Sequence, residues 1–265
     1  MPPAGTRFQP LEAIAIFALS VTLLLFGGAL VFADLGLAGI ALGQVGFIAG
    51  PALLLAHHQG GGLRAGARLL GLRRTSIRAL VGAALVGLSF WFLLQCFVWP
   101  IAERYLEGRE VVEELEKTMI PSGRPLALSL LVFACLPALC EEVLLRGVVA
   151  RGLRPVLGLL GSVALSAALF GLLHVVPAHA LVTAVFGVPL GLAALLTDSI
   201  LPSMLMHFLN NATTILLGAG ALPTLGRTFE VHTHLAAAVC AAASVAGITL
   251  LVLGRVAPGA DSSSS

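Results

Sequence analysis

Long apolar tracts separated by short clusters of charge leave this chain few ways to fold. Eight such runs can be drawn, at 11–33, 37–57, 77–99, 124–145, 157–177, 179–197, 199–217 and 234–254, each rich in Leu, Ala, Val and Gly. A run of about 20 apolar residues crosses the hydrocarbon core of a bilayer as a helix. Backbone groups in lipid have no water to bond, so only helices and closed barrels span a membrane. Barrel strands show as alternating segments of about ten residues, and these runs do not alternate. The sequence therefore predicts an all-α, polytopic membrane bundle of about eight transmembrane helices. Composition agrees: 58% of the 265 residues are hydrophobic and 11% are charged, against about 25% charged in a soluble domain. The net charge of +2 is small and dispersed, so the bilayer is the expected partner and nucleic acid is not.

The first run ends in Val31-Phe32-Ala33, which loosely resembles a leader-cleavage site. It is longer than a signal-peptide core of about 7–15 residues and reads as a retained span. Arginine placement orients the bundle. With the N-terminus inside, the cytoplasmic side receives Arg7, Arg64, Arg68, Arg73, Arg74, Arg78, Arg146, Arg151, Arg154 and Arg255. The other side receives Arg104, Arg109, Lys117, Arg124 and Arg227. This asymmetry puts both termini in the cytoplasm. The Ala/Gly/Leu/Arg-rich composition suits a bacterial inner (plasma) membrane. Leu63–Arg78 is basic and intermittently apolar, as an interfacial segment beside anionic lipid would be. Glu103–Lys117 is densely charged and reads as a short helix in water. Residues 1–260 form one integral-membrane domain, and Asp261–Ser265 reads as a disordered tail. Cys96, Cys135, Cys140 and Cys240 all lie in apolar segments without a C-x-x-C pair, so neither a disulfide framework nor a thiolate metal site is indicated.

An ionisable group at the centre of a membrane helix costs about 2.5–3.5 kcal/mol even on lenient insertion scales, which makes each one a functional candidate. Here they fall in three runs. Glu141, Glu142 and Arg146 lie late in the fourth. Glu142 and Arg146 are four apart and share a face, where an ion pair can form. Glu141 points elsewhere and is a candidate proton acceptor and donor. The bland alternative is that all three charges end the span at the interface. His174 closes the fifth run, and His179 is placed to cap the sixth. His207 and Asn211 share a face of the seventh and need polar company in lipid, while Asn210 points away and suits helix packing. A carboxylate and an imidazole can hold and deprotonate a water. A second imidazole and an amide can donate to a developing oxyanion.

In this order on successive membrane helices, E-E-x-x-x-R (Glu141-Glu142…Arg146), F-x-x-x-H (Phe170…His174) and H-x-x-x-N (His207…Asn211) resemble the CAAX prenyl protease and bacteriocin-processing (CPBP, or Abi) family of intramembrane proteases. The resemblance runs from Cys140 to Asn211, and the first three spans show no comparable motif. One position departs from it: Leu145 stands where the family often has an aromatic. The resemblance implies endoproteolysis of membrane-embedded or lipidated peptides, of CAAX-type prenylated or leader class, by a catalytic core at about 124–217. By position, Glu141 would be the general base and His174 would orient the attacking water. His207 and Asn211 would stabilise the oxyanion, and Glu142 and Arg146 would support them. The family is described both as metalloproteases and with a metal-free glutamate mechanism. No H-E-x-x-H occurs here; Glu141, His174 and His207 would be the ligands of a catalytic Zn2+, and a glutamate-activated water is the preferred reading. The rivals are a catalytically silent scaffold or bacteriocin-immunity protein of the same fold, and a proton-coupled transporter, for which no internal repeat argues.

Depth imposes a condition on this reading. Counted from the cytoplasmic ends at about 1.5 Å per residue, His174 lies much farther across than His207, with Glu141 between them or nearer the cytoplasm. The three converge only if the fourth helix runs on past Arg146, or if the fifth is strongly tilted or starts deep.

Overall fold

A computed structural model describes residues 8–28, 30, 35–106, 110, 113, 117–120, 123 and 125–254. Arg7, Arg109, Arg124, Arg255, the Val31–Ala33 segment, much of Glu103–Lys117 and the tail Asp261–Ser265 lie outside the described residues. Within them all regular structure is helical: α1 (Pro10–Gly28), α2 (Leu37–Gly60), α3 (Leu63–Leu69), α4 (Ile77–Tyr105), α5 (Leu126–Leu173), α6 (Pro177–Thr197), α7 (Leu201–Gly218), α8 (Pro223–Val231) and α9 (Thr233–Leu253). Of these, α1, α2, α4, α5, α6 and α9 are long and apolar enough to cross a membrane. The chain is a multi-pass membrane protein. Its outer surface is apolar, as lipid requires: Leu54 is 72%, Leu160 75% and Val245 66% exposed.

Six helices are long and apolar enough to cross, against eight expected runs, and the differences have physical causes. The predicted 199–217 run is present as α7, but His207, Asn210 and Asn211 take it below the apolarity of the other spans. The runs at 124–145 and 157–177 are two arms of one 48-residue element, α5. A straight helix of that length would measure about 72 Å, more than twice the hydrocarbon core. It folds back at Gly158, whose backbone (φ 66°, ψ −169°) is non-helical. The first arm thus runs on past Arg146, which the sequence reading took as a candidate span end. Arg146 is fully buried and ion-paired with Glu142, so its charge does not stop the helix at an interface.

That first arm is the axis of the bundle. Val143–Ala150 winds in wider, π-type turns, and all eight of its residues are buried, as expected of a helix enclosed on every side. It is packed by α1, α2, α6 and the second arm of α5. Outside this core α4 and α9 cross closely. A Cβ on Gly82 would lie 2.6 Å from the Gly247 carbonyl oxygen, and one on Gly247 2.7 Å from that of Gly82. Small residues at such crossings let membrane helices approach, and Ser89 and Ser244 hydrogen-bond across it at 2.7 Å.

Smaller expectations also change. Glu103 belongs to the last turn of α4 rather than to a separate helix. Leu63–Arg78 divides into α3, a turn, and the start of α4, where Ser76 Oγ accepts the Ala79 N–H. His179 lies inside α6, whose N-cap is Val176.

The fold at Gly158 yields a prediction. A Cβ there would meet no atom within 4 Å, so Gly158→Ala adds backbone strain alone, about 1–3 kcal/mol. Thermal unfolding in detergent should register it as a midpoint lowered by several degrees.

Candidate active site

The return at Gly158 brings distant residues level. Arg146 and Phe170 each lie twelve residues from it, on opposite arms, and they meet: the guanidinium sits 4.8 Å from the Phe170 ring centre. Glu141 lies seventeen residues before Gly158 and His174 sixteen after, both about 25 Å from the fold at about 1.5 Å per residue. By this count Glu141 and His174 lie at similar distances from the fold, because the fourth helix continues past Arg146.

Glu141 and Glu142, adjacent on the helix, point about 100° apart and enter different surroundings. Glu142 is fully buried. Its Oε1 accepts from Arg146 Nη1 at 2.9 Å and is bonded to His207 Nδ1 at 3.0 Å. Arg146, also fully buried, donates from Nη2 to the Gly187 carbonyl of α6 at 3.0 Å. A planar guanidinium suits this position because it can bond a carboxylate and a carbonyl in its plane while its face stacks on an aromatic ring.

Glu141 is 7% exposed. Its Oε1 accepts from Gln44 Nε2 of α2 at 2.9 Å. Its Oε2 is buried without a hydrogen-bond partner and lies 3.9 Å from His207 Nε2. His207 therefore stands between the two glutamates, Nδ1 on Glu142 and Nε2 toward Glu141. The edges of Phe170 and Phe186, with ring centres at 5.4 and 5.9 Å, fix its plane. A buried oxygen left unbonded is costly. The separation of Oε2 and Nε2 is too long for a direct hydrogen bond.

The other two expected residues stand farther from this gap. His174 makes no hydrogen bond or ion pair with Glu141. Its Nδ1 pairs with the Phe170 carbonyl at 3.0 Å, and since a carbonyl only accepts, Nδ1 carries the hydrogen. Its ring packs on Phe170 at 5.2 Å and on His179 at 4.6 Å. Asn211, one turn beyond His207, donates to the Phe133 carbonyl of α5 at 3.3 Å and accepts from Asn210 at 3.4 Å. Glu141, Glu142, Arg146 and His207 thus form one cluster, with His174 joined to it through Phe170 and Asn211 through its helix. Among the described residues no three His, Cys, Asp or Glu side chains come together as ligands of one metal ion. The set Glu141, His174 and His207 does not fit a zinc centre in this arrangement, because His174 is turned to Phe170 and His179.

Residues 123–213, which carry this whole cluster except Gln44, match the family model described as type II CAAX prenyl endopeptidase Rce1-like. This segment is an Rce1-like domain. No curated protein and no solved structure matches the chain. The Rce1-like segment begins just before α5 and ends within α7, so it contains both arms and the return that levels them.

Sequence reasoning missed several partners. Gln44 is the plainest, a lone amide in an apolar span, and the rule that flags polar groups in lipid applies to it equally. Phe170 was read as one letter of a motif, yet it touches Arg146, His174 and His207. The Gly187 carbonyl and the His174–His179 contact left no sequence signal.

Removing one member of a buried ion pair strands the other, at about 3–5 kcal/mol. Glu142→Gln should therefore destabilise the Rce1-like domain by that amount in chemical unfolding, while Glu142→Gln with Arg146→Met recovers most of it. Glu141→Gln, which gives up one hydrogen bond, should cost no more than about 1.5 kcal/mol.

Proposed function

We propose that the chain is an intramembrane endopeptidase that hydrolyses membrane-embedded or lipidated peptides with a glutamate-activated water. One observation carries the reading: the buried, unbonded Oε2 of Glu141 faces Nε2 of a histidine whose other nitrogen is held by Glu142. The match of residues 123–213 to the type II CAAX prenyl endopeptidase Rce1-like model supports it.

The steps follow from the residues. His207 sits among two buried carboxylates and one guanidinium. It donates Nδ1–H to Glu142 and Nε2–H into the gap, toward the oxygen of a scissile carbonyl. Water beside that carbonyl gives one hydrogen bond to Glu141 Oε2 and one to His174 Nε2, the ring nitrogen not engaged by Phe170. Such contacts are often long in the free enzyme and tighten around substrate. Glu141 takes the proton as the water oxygen bonds to the carbonyl carbon. The resulting oxyanion is held by His207 Nε2–H and by Asn211 Nδ2, in the manner of a preorganised oxyanion hole. Glu141 then passes its proton to the departing amine as the C–N bond breaks. Glu142 and Arg146 act by holding His207. The core of this activity is about 124–217, within one domain of 1–260.

The supporting topology has both arms of α5 and also α7 traversing the bilayer of a bacterial inner membrane. Both termini then lie on the arginine-rich cytoplasmic side. A substrate anchored in lipid reaches the site without leaving the membrane.

The test is cleavage of a prenylated CAAX peptide and of a peptide library by the purified chain. Loss of a general base costs about 10²–10⁴-fold, so Glu141→Gln should lose that much while keeping its thermal midpoint. A Glu141→Gln chain with undiminished function in cells would instead make the protein a scaffold. A glutamate-activated water needs no metal, so treatment with a strong chelator should leave cleavage unchanged.

A further inference from the structure

At the arginine-rich end of the bundle lies a cavity of about 620 Å³, lined in part by Arg68, Arg73, Arg151, Arg154 and Asp198. Its charge is unbalanced. The single carboxylate is already divided: Asp198 Oδ1 accepts from Arg151 at 2.7 Å, and Oδ2 pairs with Arg73. Arg154 donates to the Leu195 carbonyl at 3.0 Å, which satisfies a donor and leaves its charge. Arg68 has no partner among the described residues. Nε and Nη2 of Arg151 are buried with no hydrogen-bond partner. These two atoms pack against Gly71, so what the cavity itself offers a ligand is the excess charge of four arginines over one carboxylate, which an acidic group would offset.

Two further observations choose the ligand. The cavity is bordered by Gly60 and Asp198, where α2 and α6 end, so it opens at the depth of the lipid phosphates. Phe8, Leu69 and Pro155 supply apolar lining, and Leu63 and Val156 nearby are 81% and 70% exposed. A small inorganic anion has no use for such walls, whereas a phospholipid lays its chains along them. We propose that this cavity binds the phosphate headgroup of an anionic phospholipid. Basic pockets between membrane helices bind such headgroups. The site is independent of the proteolytic reading, because none of its residues belongs to the Glu141 cluster.

The test titrates the detergent-purified full chain with phosphatidylglycerol, phosphatidylcholine or inorganic phosphate and counts adducts by native mass spectrometry. Wild type should take one phosphatidylglycerol in preference to phosphatidylcholine. Each surface arginine contributes about fivefold to affinity, so Arg68→Gln with Arg154→Gln should weaken binding about 25-fold. Arg68→Gln alone, which breaks no bond, should give about fivefold. Arg64→Gln with Arg78→Gln, exposed arginines outside the cavity, should keep wild-type affinity. Three results would overturn the proposal: equal binding of the two lipids, equal loss in the Arg64/Arg78 pair, or inorganic phosphate displacing the lipid at matching concentrations.

Discussion

A buried ion pair between Glu142 and Arg146 is the constraint on which the rest of this fold depends. A lone guanidinium in a membrane helix would be drawn to the interface, and the helix would end near it. Paired at 2.9 Å with a carboxylate one turn earlier, Arg146 stays at the centre of the bundle and its helix continues to Gly158. The pair also reaches outward. Through Glu142 it holds His207 of α7, through Nη2 it holds the Gly187 carbonyl of α6, and through its face it packs the Phe170 ring on the returning arm. Four helical segments are thus bound at one depth by two side chains. Pairs of this kind are poor sources of net stability, since desolvation offsets much of the attraction. Their value here is positional: the pair ties α6, α7 and both arms of α5 to one point.

Much of the architecture was legible in the sequence because the bilayer is a strict solvent. Apolar length gave the spans at α1, α2, α4, α6 and α9 nearly as they stand, and the ionisable residues inside apolar runs pointed to the site. The sequence offers both a Glu142–Arg146 ion pair and a span end at Arg146, and the structure shows the pair. Arg146 looked like a boundary because a charge in lipid is expensive, but that cost belongs to an unpaired charge. Once Arg146 is paired, the apparent conflict between the depths of Glu141 and His174 disappears. Gln44 escaped notice although it breaks the same rule, because it carries no charge and lies 97 positions from Glu141. The roles of Phe170 and of the Gly187 carbonyl could not be read, since hydrophobic pattern reports that a face is buried and not what it is buried against. The roles proposed for Glu141, His174, His207 and Asn211 rest on the family resemblance and on chemistry.

The site also depends on a second tie, at the arginine-rich end. Asp198 holds Arg151 there. From this point Glu142 lies nine residues back along α5, and His207 nine residues forward through the start of α7. Two nearly equal arms rising from one ion pair bring their ends to the same level, and there Glu142 and His207 bond at 3.0 Å. Helices are stiff along their axes, so a slip of one residue at Asp198 would carry His207 about 1.5 Å along its axis. That exceeds the roughly 0.5 Å tolerance of a productive catalytic geometry. Arg151 at one end of these arms and Glu142 at the other are therefore parts of one register. The same Asp198–Arg151 ion pair borders the basic cavity.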